Sequence, residues 1–332
     1  MRVRFLLPEE GDLELLRALD PDRDFERFKR GECAWVLQTY LRLAAAGKPV
    51  ELTDRLPEDG IVVFHAKHRR WLAARGGALH EAVLVGIRGD LGTPAIADFE
   101  VLQNGFHADG LRRFHIPHWP QPGLLRRDPA RGDAIRRIAY KGFARNLEAG
   151  FHGRRWLDFL AARGIEWDYG AAEFAGRDTD RLRLGWHDFR RVDLVLAVRP
   201  PSKRLHPSKP ATKLFNAWLA GVPALLGAEV AYRELRRSPL DYLEVRDVSE
   251  AMAAVDRLAG DPDRYRAMIE RCAERAAELT PATWIAAWTE LLFSTVPRLA
   301  GEVLASPLRR LPLPARAGVR RVGRWFALRA VR

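Results

Sequence analysis

The sequence has only two cysteines in 332 residues, Cys33 and Cys272. They lie far apart and show no metal-ligand spacing, which excludes a zinc module and a disulfide-stapled scaffold and fits a reducing, cytosolic chain. No run of about 18 or more apolar residues occurs, so no transmembrane helix is expected. The opening MRVRFLLPEEGD has too short an apolar stretch before its acids for a signal peptide and reads as a first strand. Neither a solenoid repeat nor an aromatic RNA-binding signature is present. A nucleic-acid-binding protein is therefore the weakest of three readings, despite a pI near 10.2.

The chain is also short of acid at one end. Between residues 301 and 332, Glu302 stands alone against Arg309, Arg310, Arg316, Arg320, Arg321, Arg324, Arg329 and Arg332. The net charge of +12 is largely a property of this tail, which points to an anionic surface as partner. A helix over Val319–Arg332 would set Val322, Trp325, Phe326 and Arg329 on neighbouring turns. Such a helix suits an anionic membrane surface, giving a protein peripheral on the inner face of the cell membrane. The alternative is docking on the first domain through Trp325 and Phe326.

What is present is a core. Apolar residues make up 47% of the chain, enough for packed domains, and the length suggests two of them. Strands are expected at Val3–Leu7, Val50–Thr53, Ile61–Phe64, Ala82–Ile87 and Asp98–Leu102, with a helix at Ala34–Ala46. The alternation predicts an α/β, doubly wound parallel sheet. FHIPHWPQPGLLRRDP, from Phe114 to Pro129, carries four prolines and reads as an inter-domain connection. A second series follows: strands at Ile135–Tyr140, Ile165–Asp168, Leu194–Val198, Ala224–Leu226 and Tyr242–Val245, with helices at Arg154–Arg163, Ser249–Leu258 and Pro262–Leu279. The domains expected are 1–116, a linker 117–134, and 135–280. A long helix over 281–304 and the basic tail 305–332 complete the chain.

The most informative stretch is SKPATKLFNAWLAGVPALL, from Ser208 to Leu226. It reads as a polar loop, a helix Thr212–Ala220 beginning on a hydroxyl, a Gly221 turn and a buried strand. Lys209, Thr212 and Lys213 thus gather at a helix N-terminus, where free N–H groups favour an anion.

This segment, together with WVLQTYLRLAAAGKPVELTD, ADFEVLQN, IPHWPQPGLLRRD, IAYKGFARNL, VDLVLAVRP and AYRELRRSPLDYLEV, resembles bacterial GT-B glycosyltransferases that build surface polysaccharides. The resemblance covers most of residues 30–290. It implies two Rossmann-like domains facing a cleft and a C-terminal helix crossing back to the first domain. It also implies transfer from a nucleotide-sugar donor, held by the second domain without an essential metal, to a glycan or lipid-linked acceptor. One departure stands out. Family-4 members carry a Glu-x7-Glu pair whose second Glu sits ahead of Gly-x-Pro, and here that position is Asn216. An amide can still bond a ribose hydroxyl, but the retaining outcome does not carry over.

The chemistry needs a charge-stabilised diphosphate, a held nucleotide and a positioned acceptor hydroxyl. Arg199, at the end of strand Leu194–Val198, joins Lys209 and Lys213 as the expected diphosphate clamp. Gly142 permits close backbone approach at the end of the first strand of the second domain. Glu229, Tyr232 and Glu234 follow strand Ala224–Leu226 as candidates for ribose or sugar hydroxyls. In the first domain Asp90 is the first candidate for the base that activates the acceptor, and His65 the second. His115 and His118 lack a third ligand, and Asp178-Thr179-Asp180 imitates a metal motif by coincidence, so no metal site is expected. A nucleotide-sugar epimerase on the same fold is the second reading.

Overall fold

In the computed structural model, residues 1–8, 11–75, 77, 79–172, 185–201 and 208–330 are described. Asp178, Thr179 and Asp180 lie outside them, as do the side chains of Trp325 and Phe326. The chain divides into two units. The first comprises Met1–His118, Ser208–Pro210 and Ala282–Arg332; the second comprises Trp119–Pro207 and Ala211–Pro281.

The first unit is built on six parallel strands: β1 Val3–Leu6, β2 Val50–Thr53, β3 Asp59–His65, β4 Glu81–Ile87, β5 Phe99–Leu102 and β6 Arg113–His115. Their order is β2-β1-β3-β4-β5-β6. Isoleucine, valine and phenylalanine fill β3 and β4, and every residue from Gly60 to His65 is buried, as a parallel strand covered on both faces requires. Strand β6 falls where the sequence reads as the start of a connection. Parallel pairing of Phe114 with Val101 supplies bonds that local patterning does not reveal. Helices α1 Leu13–Arg17, α2 Gln38–Ala45 and α3 Arg69–Ala74 belong to this unit, and a wide π turn, Cys33–Leu37, leads directly into α2.

The second unit has five parallel strands, β7 Arg137–Phe143, β8 Glu166–Ala172, β9 Leu194–Ala197, β10 Ala224–Leu226 and β11 Leu243–Glu244, in the order β11-β10-β9-β7-β8. Its helices are α4 Arg154–Ala161, α5 Thr212–Ala220, α6 Val230–Leu235, α7 Val248–Ala259 and α8 Pro262–Ala277. Gly221 closes α5 at φ 70°, the left-handed cap that the sequence suggests. The N-terminal expectation differs. Ala211 occupies the cap position without a side-chain bond, and Thr212 is the first helical residue. Residues from Trp119 onward pack with this unit instead of standing apart as a linker. Leu125 donates to the His187 carbonyl at 2.8 Å and accepts from Phe189 N at 3.0 Å, which fastens the stretch to the loop before β9.

After Pro281 the chain packs with the first unit through α9 Pro281–Glu290, α10 Val296–Leu304 and α11 Leu313–Ala330. Helix α11 starts six residues earlier than the sequence suggests. Pro314 lies in its first turn, where a missing N–H costs nothing, and Gly318 does not interrupt it. The tail arginines are also not all free for an anionic surface. Asp98, buried ahead of β5, accepts from Leu84 N at 2.8 Å and Arg309 Nη2 at 2.8 Å, and pairs with Arg320. Arg316 is wholly buried and donates to the Leu79 and Arg309 carbonyls at 3.2 and 3.3 Å. Leu313 and Ala317 complete a core with Val62, Phe64 and Leu84. Three of the cations that seemed to face lipid are spent inside the protein. No described helix is long and apolar enough to cross a membrane.

Replacing Asp98 by Ala leaves the charges of Arg309 and Arg320 buried without their carboxylate. The expected loss of unfolding free energy is about 3–5 kcal/mol. Denaturant melts of the two chains check this, and a difference below about 1 kcal/mol contradicts the network's structural role.

Candidate functional site

In each sheet the strand order reverses once, between β1 and β3 in the first unit and between β7 and β9 in the second. Open α/β sheets bind ligands at the carboxyl ends of the strands beside such a reversal.

In the second unit, β7 delivers Tyr140, Lys141 and Gly142 to that edge, and the chain leaving β9 delivers Arg199. Helix α5 connects β9 to β10 and brings Lys213 in its first turn. The Lys213 ammonium donates to the Lys141 carbonyl and lies 5.2 Å from the centre of the Tyr140 ring. A Cβ added at Gly142 would sit 2.7 Å from Lys213 Nζ and 2.8 Å from the Tyr140 hydroxyl. A side chain here would displace the protein's own lysine and tyrosine, a reason for glycine different from the backbone approach to a phosphate expected above. Burial, with the positive Arg199 adding to it, pulls the Lys213 pKa down to about 7 against the opposing pull of Glu229.

Arg199 and Glu229 do not act separately. Arg199 Nε lies 3.0 and 3.2 Å from the two Glu229 oxygens; Glu229 is buried and Arg199 partly so. The expected hydroxyl-binding carboxylate is thus an orienting partner for the arginine. Tyr232 is fully buried on α6, and its hydroxyl has no partner among the described residues; the Thr212 hydroxyl is in the same state. Each such group left without a partner carries a penalty of roughly 1–3 kcal/mol. Two candidates are placed elsewhere. Asn216 Oδ1 accepts from Gln121 N at 2.9 Å, so this amide holds the segment after His118. Glu234 is exposed on α6.

Lys209 is the main correction. Residues 208–210 belong to the first unit, where Lys209 Nζ lies 2.5 Å from Asp90 Oδ2. Asn104 Nδ2 donates to the Lys209 carbonyl at 3.0 Å and Gln103 to that of Ser208. Two residues of sequence separate Lys209 from α5, yet the two lysines serve different units. Desolvation would raise the Asp90 pKa, but the Lys209 ammonium outweighs it and holds the carboxyl below its ordinary value. A carboxylate so held is a weaker base.

His65 ends β3 and is almost fully buried. Its Nδ1 accepts from Lys67 N at 3.4 Å, and its Nε2 has no partner among the described residues. The ring is pressed beneath Gly89, where a Cβ would approach Nε2 to 2.6 Å at a φ of 57°, so any side chain there is excluded twice over. Burial pushes the His65 pKa down to about 4, against the attraction of Glu32. Glu32 is itself buried and paired with Lys67; no local signal marks it, since it stands in a charged stretch, FKRGE, that reads as surface. Among the described residues no group of three or more His, Cys, Asp or Glu could hold a metal ion.

No family model matches the sequence, and no curated protein matches it either. Solved structures do. HepE from Anabaena, crystallised with UDP and glucose, is similar at a TM-score of 0.53 and 14% identity, over 89% of this chain and 100% of that one. Sucrose-phosphate synthase from Thermosynechococcus elongatus is similar at a TM-score of 0.55 and 12% identity, over 90% and 100%. The fold is GT-B. The two Rossmann-like units are the two halves of that architecture, and the carboxyl edge of each carries the clusters just described.

The neutral imidazole of His65 makes a definite demand on stability. Its pKa is about 4 in the folded chain and about 6.5 unfolded, so the unfolded state binds the extra proton between those values. The contribution is complete above pH 6.5 and is lost as pH falls towards 4, by up to about 3 kcal/mol at 1.36 kcal/mol per pKa unit. Unfolding measured at pH 4.5 and 7 is expected to show a smaller pH effect for His65→Gln than for the parent chain. Equal effects in both contradict the assignment.

Proposed function

We propose that the protein is a glycosyltransferase that moves a sugar from a nucleotide-sugar donor to a glycan or lipid-linked acceptor in surface-polysaccharide synthesis. The observation that carries the reading is the convergence of Lys213, Arg199 and two unspent hydroxyls at the reversal point of the second sheet. The similarity to HepE, whose structure holds UDP and glucose, supports it.

Loss of a nucleoside diphosphate from a sugar needs cations where the negative charge accumulates. Lys213 uses one of its three N–H donors on the Lys141 carbonyl, which leaves donors for phosphate oxygens. Arg199, oriented by Glu229, adds a second, permanently charged group. The Thr212 and Tyr232 hydroxyls would bond the nucleotide or the sugar. Gly142 leaves room for the lysine's ammonium. On the first unit, His65 Nδ1 accepts from Lys67 N, so the neutral ring carries its proton on Nε2 and has no lone pair there to receive another, while Asp90 is a carboxylate paired with Lys209. We therefore keep Asp90 ahead of His65 for acceptor activation, the order drawn from sequence, with its pairing to Lys209 weakening it as a base. With cations in the metal's place, transfer is expected to proceed in EDTA; activity abolished by EDTA and restored by Mg²⁺ or Mn²⁺ contradicts this.

The binding test is thermodynamic. At pH 8 the free Lys213 is mostly neutral, because its pKa lies near 7. A bound diphosphate raises that pKa, so binding takes up protons. Calorimetry with UDP in buffers of different ionisation enthalpy reads the uptake directly. In Lys213→Ala the uptake is expected to vanish and affinity to fall about tenfold or more, from the loss of a charge-assisted bond of roughly 1.5–3 kcal/mol. Unchanged affinity and uptake in that variant, or no transfer from any of a panel of labelled nucleotide sugars, overturns the reading.

A further inference from the structure

The second unit has another cationic feature, at the edge of its sheet opposite Lys213. A cavity of about 570 Å³, within the range of small-ligand sites, is lined by Arg126, Arg127, Arg131, Arg190 and Arg191. Only Asp128 and Asp188 offset them in the lining.

The cavity is built before any ligand arrives. Its two loops are joined by the bonds of Leu125 with His187 and Phe189, and by Asp128 N donating to the Arg190 carbonyl at 3.0 Å. Beneath it, Asp193 is fully buried and receives Arg127 at 3.0 Å and Arg131 at 2.7 and 2.6 Å. Arg190 is committed to Asp188 at 2.7 and 3.1 Å. Three sets of donors remain. Arg126 and Arg191 are exposed, one on each loop, and neither has a hydrogen bond or ion pair among the described residues. Arg127 is 92% buried, and its Nε has no partner there. Even with Asp193 included, five guanidinium groups face three carboxylates.

We propose that this cavity binds a phosphate-bearing anion, with Arg126 and Arg191 closing on it from the two loops. Planar guanidinium forks match the oxygens of a phosphate two at a time, and a group carrying more than one negative charge offsets the surplus of cations. The same chemistry is offered by a soluble phosphate and by a phospholipid headgroup. Leu125, exposed beside Arg126, is compatible with the second source. The site is separate from the proposed donor site and shares no residue with it.

The test uses the full chain, inorganic diphosphate as probe, and the double variant Arg126→Gln/Arg191→Gln. Neither residue holds a described structural bond, so the fold is expected to persist, and an unchanged UDP isotherm confirms it. Calorimetry is expected to show one class of diphosphate site weakened at least tenfold in the double variant and unaffected by Lys213→Ala. In parallel, flotation compares phosphatidylglycerol-containing vesicles with pure phosphatidylcholine vesicles. Binding to the anionic vesicles that the double variant loses assigns the site to a headgroup; a diphosphate effect without vesicle binding assigns it to a soluble phosphate. Identical behaviour of the double variant and the parent chain in both arms overturns the proposal.

Discussion

Asp193 is fully buried at the amino end of β9, and it is saturated. Arg127, Arg131 and the backbone N–H groups of Arg136 and Arg137 all donate to it. Asp98 does the same ahead of β5, with Leu84 N, Arg309 and Arg320. A buried carboxylate is costly unless every lone pair is engaged, and both are engaged by groups from distant parts of the sequence. Each therefore fastens the amino end of a sheet. Asp193 draws the segment after His118 onto the second unit, and Asp98 draws the C-terminal arginines onto the first.

With the amino ends fastened, the carboxyl ends carry the candidate site residues. Both reversal points set a basic side chain in a place where burial pulls its pKa down: Lys213 to about 7 and His65 to about 4. The cause is the same in each, desolvation of the charged form, and the neighbouring carboxylates Glu229 and Glu32 oppose it only in part. Glycine makes both arrangements possible, Gly142 beside Lys213 and Gly89 above His65. The two halves thus repeat one physical design with different residues.

The strands were legible because parallel sheets are apolar throughout, and runs such as IVVF, AVLVGI and DLVLAV are hard to mistake. The helix Thr212–Ala220 and its Gly221 cap were legible from local punctuation. Strand β6 was not, since three residues, Arg113–His115, carry no period and owe their conformation to β5. Among the candidate site residues, the placement of Lys213, Arg199, Gly142 and His65 was legible because position after a strand or at a helix start is a property of sequence. Glu32 and the hidden role of Asp98 could not, because a charged residue in a polar stretch looks like surface until its partner is known.

The sequence alone determined the α/β class, the two alternating series and which residues lie at strand ends, since those depend on local propensity and on which stretches must be buried. The tertiary structure decided the pairings: Lys209 with Asp90, Arg199 with Glu229, Asn216 with Gln121, and the tail arginines with Asp98. Charge is long-ranged in sequence and short-ranged in space. An arginine shows its valence in the primary structure, but only the folded chain chooses which carboxylate it neutralises, and that choice separates a free cation from a spent one.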